Sequence, residues 1–120
     1  MIKNNHGHFI GLSSIADLAP SQEAPSYNAS KSALTNYWEG LALALSKTNV
    51  RISNIRFGFV NTKMAKASIR PFMISKVKAS KYILSVVDKP RIRGTRPMIM
   101  NFLMWLSLIF VRLKLFVYRY

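Results

Sequence analysis

Two short runs of apolar and β-branched residues, separated by a long segment of helical period, constrain this chain more than anything else in it. The first, His8-Phe9-Ile10-Gly11-Leu12-Ser13, reads as a buried strand. The second, Val50–Phe57, sets Val50, Ile52 and Asn54 on one face and Arg51, Ser53 and Ile55 on the other. Its alternation is imperfect, but its β-branched content favours a strand. Between them, from Ser26 or Tyr27 to about Ser46, Ala29, Ala33, Leu34, Tyr37, Trp38, Leu41, Ala44 and Leu45 keep helical spacing, and Asn49 marks the turn. The small Ala29, Ser30 and Ala33 admit a second helix at close range. Strand, helix and strand in that order imply a parallel sheet with a crossover helix.

The rest of the chain continues the alternation. A polar loop, Ile15–Pro25, carries Pro20 and Pro25, which disfavour helix. Gly58 breaks the second strand. A short helix is expected over Thr62–Ile69, ending near Pro71, and a better one over Ser75–Val87 with Val77, Tyr82, Ile83 and Val86 as its apolar side. Residues 89–97, flanked by Pro90 and Pro97, read as a short edge strand. Open sheets of this kind bind ligands at the C-terminal ends of their strands. Ser14 and Gly58 each follow a predicted strand.

Tyr27 and Lys31 are four residues apart on the predicted helix and so share a face. A free phenol titrates near pH 10, poor for proton exchange at neutral pH. An ammonium beside a phenol favours the phenolate and suits it to acid–base work. Ser14 ends the preceding strand, so the three side chains can converge at one strand end.

Three strings carry a family resemblance: FIGLSSIAD, then YNASKSAL, then IRFGFVNTKM. From about His8 to Met64 the chain resembles the catalytic half of a short-chain dehydrogenase/reductase. That family has a strand ending in the active-site serine, a YxxxK helix, and a strand leading into a Pro-Gly-x-x-x-Thr turn. The resemblance implies Ser14, Tyr27 and Lys31 as catalytic residues. Tyr27 would exchange the proton with the substrate oxygen, Lys31 would assist it and hold a ribose hydroxyl, and Ser14 would donate a hydrogen bond to that oxygen. It implies Tyr27, Lys31, Gly58, Val60 and Thr62 along the cofactor, with backbone groups near Val60 on a carboxamide.

The implied fold is α/β: part of a Rossmann-type, doubly wound parallel sheet over residues 1–97, followed by an apolar and basic helix over 98–120. The implied function is an NAD- or NADP-dependent oxidoreductase acting on an alcohol or carbonyl. Phe57 stands where the family usually has proline, which puts the placement of Val60 and Thr62 in question. No GxxxGxG string occurs in the 120 residues, and the family's upstream asparagine and its NAD/NADP-selecting residue are also missing. Met1 lies a few residues before the catalytic strand, as an internal start or truncated reading frame would place it. The expectation is therefore a truncated form. The alternatives are an inactive fragment, or a basic protein of the membrane surface without catalysis.

Charge divides the chain. Residues 1–50 sum to zero, whereas everything after Val50 sets fifteen Lys and Arg against Asp88 and supplies the whole +14. Such asymmetry suggests an anionic partner: a membrane surface, cofactor phosphates or nucleic acid. A solvated basic surface is the plain alternative. No motif specific to nucleic acid is present. Cys is absent, and the first residues lack the apolar core of a secretory signal, which fits a reducing, cytoplasmic setting with possible peripheral membrane contact.

Met98–Val111 is almost wholly apolar, interrupted only by Asn101 and Ser107, before Arg112 and Lys114. This uncharged stretch is short of the ~20 residues a span needs. On a helix, Asn101, Arg112 and Arg119 fall on one line and Ser107 and Lys114 on another, a thin and split polar arc. Shallow insertion in a bilayer and burial in a subunit contact both fit. Trp105, Tyr118 and Tyr120 resemble interfacial anchors. The tail suits a small lipophilic substrate.

Other features have plainer readings. His6 and His8 are expected to be solvent-exposed rather than metal ligands. Asn28-Ala29-Ser30 matches a glycosylation triplet only incidentally. Tyr37 and Trp38 read as packing aromatics. Phe72, Met73 and Ile74 are a substrate-covering segment or core. Half a sheet would leave an unpaired edge and uncovered apolar faces, so poor solubility is expected unless a second copy or the missing N-terminal half covers them.

Overall fold

The computed structural model describes residues 1–65 and 69–118. Its elements run β1 (Gly7–Ser14), α1 (Pro25–Ala44), β2 (Val50–Phe57), α2 (Lys76–Asp88), β3 (Arg93–Arg96) and α3 (Met98–Val117). A single 3-10 turn, Ile15–Asp17, follows β1, capped by the Ser14 side chain. The strands form one parallel sheet in the order β1-β2-β3, with Ser14 level with Phe57 and Phe57 level with Arg96.

The two crossover helices cover opposite faces. Phe9, Gly11 and Ser13 of β1 face α1. The Trp38 ring lies 6.2 Å from that of Phe9, and a Cβ on Gly11 would overlap the Trp38 indole. Ile10, Ile55 and Phe57 face the other way and pack with Tyr82, Ile83 and Val86 of α2. Central β2 is thus buried on both sides from Ile52 to Arg56, which explains its imperfect alternation: a strand covered on both faces has no solvent side to mark. Both edges of the sheet, β1 and β3, have no further strand partner among the described residues.

Several expectations need correction. No helix forms over the described part of Thr62–Ile69. Ala65 N donates to Thr62 O at 3.1 Å, a single turn, and residues 66–68 lie outside the described set. One turn cannot offset the cost of nucleating a helix. His8 is not simply solvent-exposed. It is half-buried, with Nε2 2.9 Å from Ser53 Oγ, and burial pushes its imidazole below the usual range. Ser53 accepts from Arg91 N at 3.3 Å, which leaves its proton available to His8. Tyr37 is 62% exposed and meets only the edge of Trp38, so of that pair Trp38 does the packing. Ala29, Ser30 and Ala33 are exposed, and Ala29 lines a cavity with Leu108 and Arg112 of α3 rather than a close helix contact.

Candidate active site

The position of Tyr27 and Lys31 follows from how α1 begins. Pro25 sits in its first turn, where a missing N–H costs little. Ala24 offers no side-chain cap. Instead, buried Asn28 donates Nδ2 to Ala19 O at 2.6 Å, and Ser32 donates Oγ to Asp17 O at 2.7 Å. These bonds tie the loop after β1 onto the helix and seat its first two turns beside the strand end. Lys31 Nζ then stands 5.7 Å from the Tyr27 ring centroid and donates to Leu12 O at 3.5 Å. The ammonium is held between the phenol and the last residues of β1.

Ser14 is half-buried. Its hydroxyl accepts from Ala16 N at 3.2 Å and donates toward Phe57 O at 3.4 Å, a long bond. Tyr27 is 42% exposed. No hydrogen bond joins Ser14 to Tyr27, and Lys31 connects helix to strand through Leu12. Lys31 thus reaches the last residues of β1 two positions before Ser14, and Tyr27 lies one helical turn before Lys31, open to solvent.

Gly58 N donates to Arg96 O at 2.9 Å, which fixes the turn after β2 against β3. Val60 forms an isolated parallel bridge with Ile74: Ile74 N donates to Phe59 O and Asn61 N to Ile74 O, both at 2.9 Å. In such a bridge the flanking residues make the bonds, so the N–H and C=O of Val60 point away from Ile74. Thr62 is exposed. Phe57, in place of proline, sets its ring edge-on to Tyr82 at 6.2 Å, so packing holds this turn where a fixed φ would otherwise do so. Phe72 and Met73 are exposed, and Phe72 has a φ of 55°.

The sequence reading missed a buried polar network beneath the site. Arg56 and Asp17 form an ion pair at 3.5 Å, with side chains 6% and 1% exposed. Arg56 also donates to Thr95 Oγ1 from Nε and Nη2, at 3.2 and 3.1 Å, and to Asn101 Oδ1. Thr35 donates to Asp17 Oδ2 at 2.5 Å, lies 2.9 Å from Ser13 Oγ, and accepts from Asn54 Nδ2 at 3.1 Å. Burial pushes the Asp17 carboxyl up, and its bonds to Thr35 and Arg56 pull it partly back. The one signal for this network was a charged residue, Arg56, inside a strand otherwise destined for the core.

A cavity of about 310 Å³ opens where Asp17, Leu18, Ala19 and Asn28 face Leu108 and Arg112 of α3. Neither Ser14, Tyr27 nor Lys31 lines it. No group of three or more metal-ligating side chains occurs among the described residues.

Residues 1–71 match the family model described as short chain dehydrogenase. An uncharacterized oxidoreductase of Staphylococcus saprophyticus is 34% identical over 65 residues, covering 54% of this chain and 28% of that protein. One from Myxococcus xanthus is 32% identical over 71 residues, 59% of this chain and 28% of that protein. Among solved structures, a short-chain dehydrogenase from Burkholderia cenocepacia in complex with NADP superposes with a TM-score of 0.76 at 23% identity, over 95% of this chain and 49% of that one. A Sphingobium yanoikuyae short-chain dehydrogenase in complex with NADPH gives 0.71 at 19%, over 98% and 48%. The chain therefore spans about half the length of these solved chains and just over a quarter of the curated relatives it matches.

Proposed function

The chain belongs to the short-chain dehydrogenase family, and from that membership and the geometry at the end of β1 we propose that it carries the catalytic corner of an NAD(P)-dependent oxidoreductase acting on an alcohol or carbonyl. The observation that carries the reading is Lys31, held at once over the Tyr27 ring and on the carbonyl oxygen of Leu12, two residues before Ser14 on the same strand. In that arrangement Tyr27 passes a proton to the substrate oxygen during reduction and takes it back during oxidation. Lys31 supplies positive charge beside the phenol as that proton leaves. Ser14 donates its proton only in a long bond to Phe57 O, which it can exchange for the substrate oxygen as charge develops there.

The residues present fit a nicotinamide. The backbone N–H and C=O of Val60 are free of the Ile74 bridge and suit a carboxamide, and Lys31 has donors to spare for a ribose. When bound, the dinucleotide would supply or accept the hydride. Gly58 and Thr62 border the same turn. The exposed apolar surface nearby favours a lipophilic substrate.

The test pairs cofactor binding with turnover. The chain is titrated with NADH and NADPH for binding, and oxidation of long-chain alcohols by NAD+ or NADP+ is followed by the absorbance of the reduced cofactor formed. Tyr27→Phe is expected to leave dinucleotide binding in place and to lower turnover by about 10²-fold or more. Retained turnover in that variant would sink the assignment. A second reading, a scaffold without catalysis, is favoured by the edge of β1, which has no further strand partner among the described residues. It predicts no dinucleotide binding at all.

A further inference from the structure

The faces of α3 are sorted in an unusual way. Met100 is buried, and Met104, Ser107, Leu108 and Val111 are half-buried against the body of the protein. At 100° per residue these five form one packed stripe. Asn101 and Arg112 run along one border of that stripe, and Ser107 and Lys114 lie at the other. The opposite face, an arc of roughly 160°, contains no polar residue. It presents Phe102, Trp105, Leu106, Ile109, Phe110 and Leu113, every one at least 40% exposed. The final residues, Leu113–Val117, are exposed all round.

We propose that α3 lies in the plane of an anionic lipid surface, its outward arc among the acyl chains and Arg112 and Lys114 reaching back to the phosphates. Three observations select this occupant. The helix has the length and hydropathy of a membrane segment, yet only 6% of its apolar window is buried, so it is no core helix. The uncharged run Met98–Val111 spans only about 21 Å against a hydrocarbon core of about 30 Å, and one face is already packed on protein, so the helix lies flat rather than crossing. Every charge bordering the apolar arc is a cation, and no acid follows Asp88. A second copy docked on the same arc would bring no acid from its own α3 to Arg112 and Lys114, whereas anionic headgroups complement them. The helix also starts beside the Gly58 turn, since Met100 Cγ lies 3.5 Å from the Cβ position of Gly58. The proposal does not depend on catalysis.

The experiment is flotation of the full chain with phosphatidylcholine vesicles, with and without about 30 mol% phosphatidylserine. Binding is expected to the phosphatidylserine vesicles, and brominated lipid should quench a tryptophan signal that Trp105→Phe removes. The Phe102→Glu/Ile109→Glu double variant alters exposed positions only and should abolish flotation. Arg112→Gln/Lys114→Gln should weaken binding about 30-fold, near fivefold per cation. Quenching in the unaltered chain tests the proposal even if a variant fails to fold. Flotation that survives the double glutamate substitution would overturn it. So would an unaltered chain that ignores both vesicles but forms a dimer that the same substitution splits.

Discussion

Replacing Arg56 with alanine tests whether the buried network organises the site. The substitution leaves Asp17, 1% exposed in its side chain, with Thr35 as its remaining side-chain donor. Removing one member of a buried pair typically costs 3–5 kcal/mol, so about 3–5 kcal/mol is the starting figure. The carboxyl has an escape, which is to fold protonated. From its ordinary value of 3.8, protonation at pH 7 costs about 4 kcal/mol at 1.36 kcal/mol per unit, which caps the charge part of the loss. At pH 5 the same cap falls below about 2 kcal/mol. Arg56→Ala should therefore lose about 3–4 kcal/mol at pH 7, a fall in Tm of roughly 12–16 °C, and about half that at pH 5. The sign follows from linkage: the orphaned acid binds a proton in the folded state at a pH where the unfolded chain does not, so the deficit grows as pH rises. Thermal melts by circular dichroism at the two pH values measure both. The Arg56→Ala/Asp17→Asn double variant should recover much of the loss, because no unpaired charge remains. A deficit below about 1 kcal/mol, or one equal at both pH values, would refute the reasoning.

Three further outcomes are expected. Ser75 accepts from Lys78 N at 3.2 Å and caps α2, so Ser75→Ala should cost about 1 kcal/mol and some 4 °C of Tm, read in the same melts. Burial holds His8 below its ordinary 6.5, so below that pH the unfolded chain binds more protons and stability falls; His8→Gln should flatten that slope when the two melting series are subtracted. A Cβ on Gly94 would overlap the Tyr82 hydroxyl, and Tyr82 is pinned between the Phe57 ring and the Arg96 guanidinium, 4.2 Å away. Gly94→Ala should cost about 1–3 kcal/mol and alter the near-ultraviolet tyrosine signal, whereas an unchanged spectrum would show that the ring moves freely.

Helical period made α1 and α2 legible as elements, although Ala29, Ala33, Tyr37 and Val77 of the expected apolar sides are exposed; β1 and β2 were legible as an apolar run and from β-branched content. β3 was legible from its prolines. The single turn found in the described part of Thr62–Ile69 has the opposite cause, since eight residues carry too little pattern to distinguish a helix from a turn. The tail shows a third situation. Its two polar lines, Asn101 with Arg112 and Ser107 with Lys114, were visible in sequence and looked like a failed amphipath. The stripe between them is itself apolar and packed, so a helix with two apolar faces reads as one with none. Arg119 and Tyr120, which extended that reading, lie outside the described residues. The pairing of Lys31 with Tyr27 was legible from spacing. The Thr35, Asp17 and Arg56 network was not, because its members come from α1, the 3-10 turn and β2 and share no sequence interval.

The end of β2 shows how these features depend on one another. Consecutive strand residues point to opposite faces, so Arg56 enters the layer shared by α1 and α3 while Phe57 enters the layer of α2. Gly58, next in line, is bonded to Arg96 O of β3. The turn that stands beside Ser14 is therefore gripped from both faces and from the neighbouring strand, and it needs no proline to stay in place. The same grip joins the candidate site to α3, because Arg56 bonds Asn101 on the border of the exposed apolar arc. A shift of that helix on reaching a membrane would be felt first at Arg56, and one residue later at the carbonyl that Ser14 holds.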